Sequence, residues 1–190
     1  MKKIILIGAG GHAKSCIDVI LLTKKYKILG FIDQNKKINI LNYKVLGDER
    51  YLKKLKNKSY HLHISLGFIK SPLKRIKIFN EFRKLNFKFP KIISPKAYVS
   101  NNAKILDGTI VHHNAIINFE AEIGNNNIIN TSAIIEHGVK IGNNCHISTR
   151  TIINGDVEVQ DNTFIGSGTV IREGVKIGKN CFISMGQVVK

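Results

Sequence analysis

The sequence predicts a small α/β domain over residues 1–90, followed by a parallel β-helix over residues 91–190. Two observations carry this prediction. Apolar, strand-like runs alternate with amphipathic helical segments in the first half. From residue 93 onward, Ile or Val recurs at every sixth position, 17 times without interruption. With 190 residues, the chain is long enough for each half to have a hydrophobic core.

The first half follows the order strand, helix, strand, helix, strand. The predicted strands are residues 2–8, 27–33 and 60–67, and the predicted helices are residues 12–25, 48–57 and 71–85. In the last helix, Ser71 is a candidate cap and Pro72 is suited to the first helical position. This order is typical of a parallel, Rossmann-like α/β domain.

The second half has one large and one small apolar position in every six residues. Two positions before each Ile or Val, from Ala97 on, the residue is Ala, Thr, Val or Cys in 14 of 16 cases, and the exceptions are Asn127 and Gln187. This pattern is typical of a hexapeptide β-helix, in which three repeats form one triangular coil and Gly and Asn supply the turns. Cys145 and Cys181 occupy small positions and are predicted to be core residues.

The formal net charge of +17 is concentrated in the first half, which holds 21 Lys/Arg and 5 Asp/Glu, against 9 and 8 in the second. Such basicity attracts nucleic acid, anionic lipid or a phosphorylated small molecule, but a composition bias towards Lys, Ile and Asn explains it equally well. We expect no nucleic-acid partner.

Two features that the sequence lacks indicate where the protein is located in the cell. No apolar run approaches the roughly 20 residues of a membrane-spanning helix, and the N-terminal run is shorter than a signal-peptide core. The three cysteines lack paired or metal-binding spacing. We therefore expect a reduced, cytoplasmic protein with no membrane insertion and no metal.

Four features together resemble a known family. They are "LIGAGGHA", "GFID" about twenty residues later, the hexapeptide half, and "IIEHGVKIGNNCHIS". The chain resembles, over essentially its whole length, the sialic acid O-acetyltransferase and UDP-amino-sugar N-acetyltransferase family of bacterial left-handed β-helix acyltransferases. The resemblance implies a homotrimer, an N-terminal domain that holds the sugar substrate, and acetyl-CoA bound between neighbouring β-helices.

His137 is the candidate general base. It lies two positions after inward Ile135 and two before inward Val139, so its side chain is predicted to point outward, and the 18-residue coil spacing puts Gly155 one coil above it. Imidazole suits proton abstraction at neutral pH. The resemblance implies direct acetyl transfer without an acyl-enzyme, with the Gly155 N–H as the candidate donor to the oxyanion.

Other site residues are also assigned by resemblance. Many relatives have an acidic residue directly after the histidine to orient it, whereas this chain has Gly138. Glu136 precedes the histidine and is a second catalytic candidate, so the orienting group is open. His146 and Asn130 are predicted to contact the cofactor, with an ordinary surface histidine as the alternative reading of His146.

The remaining histidines are given no catalytic role. His112 and His113 are predicted to be exposed on a turn, and His61 and His63 alternate on a predicted strand and are predicted to be structural.

The segment "GAGGHA" follows a strand and opens a helix, so its backbone amides can bind a phosphate. Asp33, at the end of the second strand, can accept hydrogen bonds from sugar hydroxyls. The resemblance implies that Gly10, Gly11 and His12 contact the sugar or its nucleotide, with Asp33 and Gly67 nearby.

The predicted function is acetyl-CoA-dependent acetylation of the amino group of a nucleotide-linked amino sugar, and O-acetylation of sialic acid or a related sugar is the alternative. Two other classes also stay open: an NAD-dependent oxidoreductase and a non-catalytic binding protein. The first is disfavoured because about 90 residues are too few for both halves of a dinucleotide fold.

Overall fold

The computed structural model describes residues 1–35, 39–55 and 59–190. Its first half is one five-stranded sheet in the order β3-β4-β2-β1-β5. The strands are Lys2–Ile7 (β1), Tyr26–Ile32 (β2), Asn39–Ile40 (β3), Tyr43–Gly47 (β4) and His61–Ile64 (β5), and the helices are Gly11–Thr23 (α1), Glu49–Lys54 (α2) and Leu73–Lys84 (α3). The four longer strands pair in parallel, and only β3 runs antiparallel to its neighbour. The predicted α/β domain is confirmed.

Three details of the first half differ from the prediction. The hairpin β3–β4 was not predicted, because its turn residues Leu41 and Asn42 both have positive φ without the glycine that usually marks such a turn. Helix α2 ends at Lys54, and residues 56–57 of the predicted helix lie outside the described residues. Helix α3 spans Leu73–Lys84 instead of 71–85, because Pro72, predicted at the first helical position, is the N-cap in place of Ser71.

From Ile92 onward the chain forms 17 two-residue strands. Each of them ends at one of the Ile or Val positions of the six-residue repeat. They are Ile92–Ile93 (β6), Tyr98–Val99 (β7), Lys104–Ile105 (β8), Ile110–Val111 (β9), Ile116–Ile117 (β10), Glu122–Ile123 (β11), Ile128–Ile129 (β12), Ile134–Ile135 (β13), Lys140–Ile141 (β14), His146–Ile147 (β15), Ile152–Ile153 (β16), Glu158–Val159 (β17), Phe164–Ile165 (β18), Val170–Ile171 (β19), Lys176–Ile177 (β20), Phe182–Ile183 (β21) and Val188–Val189 (β22).

These strands build three parallel sheets, and each strand pairs with the strand 18 residues further on. The first sheet contains β6, β9, β12, β15, β18 and β21. The second contains β7, β10, β13, β16, β19 and β22, and the third contains β8, β11, β14, β17 and β20. The second half is therefore a left-handed parallel β-helix, as predicted.

The turns of the β-helix follow the same period. From Gly108 to Gly186, positive φ recurs at every sixth residue, and ten of these 14 positions hold Gly or Asn. The positive φ falls three residues after each inward aliphatic residue. Glycines directly after an inward aliphatic residue, such as Gly124, do not have positive φ. They leave room for the next coil, because a Cβ on Gly124 would lie 2.6 Å from the Gly142 carbonyl oxygen of that coil.

The three faces of the β-helix differ in the residues that point outward. The first sheet is covered by the N-terminal domain: Ile92, Ile110 and Ile128 share one hydrophobic core with helix α1. The second sheet presents an apolar row of Tyr98, Ile116, Ile134, Ile152, Val170 and Val188. The third presents alternating charges at Lys104, Glu122, Lys140, Glu158 and Lys176.

A buried arginine also joins the two halves. Arg75 of α3 is 1% exposed and donates hydrogen bonds to the carbonyl oxygens of Ile64 (2.9 Å) and Asn126 (3.0 Å). It also donates to Oδ1 of Asn126 at 2.9 Å. These bonds hold the sheet of the first domain against the β-helix. No helix in the described part of the chain is long and apolar enough to cross a bilayer.

Candidate functional site

His137 lies on the turn between β13 and β14, at the corner between the second and third sheets. Ile135 and Val139 on either side are fully buried, while His137 is exposed, so the predicted outward orientation is confirmed. The imidazole lies against Gly155 of the next coil. A Cβ on Gly155 would be 2.5 Å from Cε1 and 2.8 Å from Nε2 of His137, so the ring can take this place only beside a glycine.

The backbone of Gly155 has one unused donor. Its carbonyl oxygen accepts a hydrogen bond from Gly174 N at 2.9 Å, but its N–H donates no hydrogen bond to any described residue. The equivalent turn amides of other coils, such as those of His137 and Glu173, also donate no hydrogen bond among the described residues, so the imidazole beside Gly155 is what distinguishes it. Beside an imidazole, such a group can donate to an oxyanion that forms on a bound substrate.

The two acidic groups nearest to His137 in the coil register have different surroundings. Glu136 is half-buried, and its Oε2 accepts a hydrogen bond from Asn118 Nδ2 one coil below, at 2.7 Å. Asp156 is exposed, and its Oδ1 lies where a Cβ on Gly138 would be. The carboxylate of Asp156 therefore occupies the space left by the missing side chain at residue 138.

A second group of polar residues lies where the N-terminal domain meets the first sheet. His146 of β15 is buried, and its Nδ1 donates to the Phe68 carbonyl oxygen at 2.8 Å. Its Nε2 is then the acceptor, and Asn130 Nδ2 lies 3.4 Å away. Burial lowers the pKa of His146 to about 4, so the ring is neutral at pH 7. The structure thus brings together His146 and Asn130, both predicted as cofactor contacts.

His12 belongs to the same group. Its ring centroid lies 5.4 Å from that of His112 and 6.3 Å from that of His146, and a Cβ on Gly67 would lie 3.4 Å from its Cβ. Burial, with a smaller contribution from His112, lowers the pKa of His12 to about 2. His12, predicted near the sugar, therefore lies against the β-helix, and Gly67, predicted with it, lies against His12.

The prediction that His112 and His113 are exposed was wrong. His112 is 1% exposed, because helix α1 covers this corner of the β-helix. His113 is partly buried, and its ring nitrogens lie 2.6 Å from Ser94 Oγ and 2.9 Å from Asp18 Oδ2 of helix α1. Both histidines are covered by a domain packing that the six-residue repeat does not indicate.

The side chains of His12, Cys16 and His112 bring their ligand atoms within 4.8 Å of one another. This is a donor set that soft metal ions use. The guanidinium of Arg75 is close enough to lower the pKa of His12 as well, after burial and His112, and it would repel a cation. We therefore assign no metal ion to these residues.

The residues predicted to bind the sugar fall into two places. A cleft of about 520 Å³ lies at the carboxyl ends of the parallel strands and is lined by Gly8, Asp33, Arg50 and Lys74 among others. Asp33 Oδ2 accepts a hydrogen bond from Ala9 N at 2.9 Å, which ties the end of β1 to the end of β2. Ligands of open α/β sheets bind at this edge.

Gly10 and Gly11 lie at the start of α1 beside open space: a Cβ on either would meet nothing within 4 Å. Gly10 is the N-cap residue and has no side chain to cap the helix, so the first amides of α1 stay available to an anion.

Among the residues of these sites that were not predicted from the sequence are His112, Phe68 and Asp156. The first two meet the site only through packing of one domain on the other. Asp156, in contrast, follows Gly155 and lies 18 residues after Gly138, so the coil spacing was a signal that could have identified it.

Comparison with known proteins supports the same architecture. The family model "PglD N-terminal domain" matches residues 3–82, and the model "Bacterial transferase hexapeptide (six repeats)" matches residues 120–155 and 156–186. No curated protein matches the chain.

Several solved structures share the fold. The acetyltransferase domain of PglB from Neisseria gonorrhoeae FA1090 is 24% identical, with a TM-score of 0.94 over 100% of this chain and 92% of that chain. Its complex with acetyl coenzyme A gives a TM-score of 0.90 at 24% identity, over 99% and 92%. PerB from Caulobacter crescentus, in complex with CoA and GDP-perosamine, is 22% identical, with a TM-score of 0.68 over 98% and 92%.

Proposed function

We propose that the chain transfers the acetyl group of acetyl-CoA to the amino group of a nucleotide-linked amino sugar, because its first half matches the model of the PglD N-terminal domain and its second half matches the model of bacterial transferase hexapeptide repeats. The observation that carries this proposal is the pairing of His137 with Gly155: an exposed imidazole lies directly against a glycine whose N–H has no partner among the described residues.

The reaction needs one general base and one hydrogen-bond donor to the oxyanion. His137 takes a proton from the sugar amine as the nitrogen attacks the thioester carbonyl, and a C–N bond forms. The Gly155 N–H donates to the oxyanion. When the oxyanion collapses, the C–S bond breaks and the imidazolium returns its proton to the CoA thiolate. No acyl-enzyme is required, and burial raises the pKa of Cys145 to about 12, which keeps that thiol protonated and inert.

The cleft at the sheet edge supports a nucleotide-linked acceptor. Lys74 brings a positive charge and Asp33 an acceptor for hydroxyl groups, while Arg50 is paired with Asp48, which lines the cleft together with Glu49. The solved structure of PerB contains GDP-perosamine and that of the PglB domain contains acetyl coenzyme A. We propose that the cleft and the amides of Gly10 and Gly11 hold the nucleotide sugar, while His12 and Gly67 lie towards the reacting end.

We propose that the protein works as a homotrimer, and the positions of these parts support an assembly of several copies. His137 is at the corner of the second and third sheets, whereas the N-terminal domain of the same chain covers the first sheet. The apolar row on the second sheet, exposed at its two ends and half-buried between them, suits burial against other copies of the chain. We propose that His137 of one protomer works with the sugar domain, His146 and Asn130 of its neighbour, and that acetyl-CoA binds between them. Light scattering at assay concentration tests this, and an active monomer would contradict it.

The activity itself is tested by thiol release from acetyl-CoA, screened over UDP-, GDP- and dTDP-linked amino sugars and sialic acid. We expect turnover with at least one nucleotide-linked amino sugar, and a loss of about 10²- to 10⁴-fold in kcat for His137→Asn. Because His137 is exposed, the melting temperature of the variant should equal that of the wild type.

Other outcomes would replace the proposal. Turnover with sialic acid alone would establish O-acetylation instead. If acetyl-CoA raises the melting temperature but no acceptor turns over, the proposed reaction is wrong. A rise in melting temperature with NADH, and none with CoA, would indicate an oxidoreductase.

A further inference from the structure

The geometry points to Asp156 as the residue that positions the imidazole of His137. This inference rests on the proposed role of His137 as the base. Residues 137 and 138 stack directly beneath residues 155 and 156, and Asp156 N donates a hydrogen bond to the His137 carbonyl oxygen at 3.0 Å. The imidazole lies on Gly155, and the Asp156 carboxylate fills the space beside Gly138. Base and carboxylate thus occupy adjacent turn positions of two neighbouring coils.

An imidazole base benefits from a carboxylate for two reasons. A hydrogen bond to one ring nitrogen fixes the tautomer, so that the other nitrogen faces the substrate. The negative charge also stabilises the imidazolium that forms when the proton is taken. Asp156 is exposed in the single chain, so its side chain is free to rotate towards the ring.

The other charged groups around His137 are less suited to this role. Glu136 is held by the hydrogen bond from Asn118. Glu120 lies one coil below Gly138, on the side away from Asp156. Glu173 is in the coil above Gly155, so the glycine backbone lies between it and the ring, and Arg172 next to it is positively charged.

The turn geometry allows the carboxylate to be moved from residue 156 to residue 138 by substitution. Residues 120, 138 and 156 occupy the same turn position in three successive coils, and all have positive φ: 57° at Glu120, 66° at Gly138 and 58° at Asp156. Since two of the three are acidic, an aspartate at 138 is compatible with this backbone. Gly138→Asp alone would meet the Asp156 carboxylate, but the double variant Gly138→Asp/Asp156→Gly removes that contact.

The test compares acetyl transfer by wild type, Asp156→Asn, Glu136→Gln and the double variant, with Glu120→Gln as the control. For Asp156→Asn we expect kcat to fall about 10- to 100-fold with little change in KM for acetyl-CoA. The acidic fall-off of kcat/KM should move to lower pH, because the ring has lost a nearby negative charge. The double variant should recover most of kcat and the wild-type pH profile, and Glu120→Gln should match the wild type.

The wild type tests the proposed acetyl transfer, and the variants test the positioning role of Asp156. An inactive wild type contradicts the proposed function and not the geometry of Asp156. An active wild type with unchanged kcat and pH profile in Asp156→Asn overturns the positioning role, as does a loss confined to Glu136→Gln. If Asp156→Asn and the double variant are equally impaired while their melting temperatures match the wild type, a carboxylate at residue 138 cannot replace that of Asp156, and the proposed equivalence of the two positions is wrong.

Discussion

The position of the His137 ring depends on the absence of one carbon atom. Any Cβ at residue 155 would overlap the imidazole, since the ring atoms lie 2.5 to 3.2 Å from that point. Gly155 is not among the positive-φ residues of the β-helix, so alanine is compatible with its backbone. Gly155→Ala should therefore displace the imidazole without unfolding the coil. We expect kcat to fall at least 10-fold and the melting temperature to change little, as measured by thiol release and thermal unfolding.

Gly178 provides the matched control for this substitution. It lies in the same β-helix without positive φ, and the nearest atom to a Cβ there is Cys181 Sγ at 3.8 Å, an ordinary contact. Gly178→Ala should keep both activity and stability. Wild-type activity in Gly155→Ala would mean that the ring works equally well from another rotamer, and the proposed use of this geometry would be wrong.

The stability of the β-helix depends on hydrogen bonds that join the corners of successive coils. Thr109 Oγ1 donates to the Gly124 carbonyl oxygen at 2.8 Å and accepts from Asn127 N at 3.0 Å. One coil above, Asn127 does the same with two atoms: Nδ2 donates to the Gly142 carbonyl oxygen at 2.7 Å and Oδ1 accepts from Cys145 N at 2.5 Å. The exception at Asn127 in the pattern of small residues is thus a longer side chain with the same function as threonine.

Asn127→Ala should destabilise the protein, because it leaves the buried Cys145 N–H and Gly142 C=O without these partners. The expected loss is about 1–3 kcal/mol in the free energy of unfolding, measured with urea. Asn127→Thr is the control, since threonine makes both bonds at residues 109 and 163. Equal losses in the two variants would show that these two hydrogen bonds do not account for the stability that Asn127 confers.

The β-helix was predictable residue by residue, because each inward Ile or Val faces the same environment and each turn repeats after six residues. The hairpin β3–β4 was not, since Leu41 adopts a positive φ that its side chain does not indicate. The outward side of His137 and the proximity of Gly155 followed from the repeat. The burial of His112 could not follow from it, because the covering helix α1 comes from another part of the chain.

The contact between the two halves of the molecule combines an apolar core with buried polar groups. Arg75 uses backbone carbonyls and Asn126 as hydrogen-bond acceptors, and burial lowers its pKa to about 10. Near it lie His12, His63 and His146, with His112 beside His12, and burial lowers the pKa of all four below the usual 6.5. All four are neutral at pH 7, which avoids placing further positive charge beside the guanidinium.

This arrangement predicts that the folded chain loses stability in mild acid. The buried His63, fully enclosed in β5, has its pKa lowered to about 3, mainly by burial and further by Arg75. In the unfolded chain the same ring binds a proton near pH 6.5. Above pH 6.5 neither state is protonated; as the pH falls from 6.5 towards 3, only the unfolded chain binds the proton, so stability is lost across that window. The loss is about 2 kcal/mol per such histidine at pH 5.

The contribution of His63 to this loss of stability can be measured separately, because neither of its ring nitrogens has a hydrogen-bond partner among the described residues. Replacing it by leucine keeps the volume and removes the titrating group without breaking a bond. Urea unfolding at pH 7.5 and pH 5 should show a drop in free energy that is smaller by about 2 kcal/mol in His63→Leu than in the wild type. Because each protein is compared with itself at two pH values, any change in packing cancels. An equal drop in both proteins would mean that His63 does not resist protonation in the fold, and that the acid sensitivity arises elsewhere in the contact between the two halves.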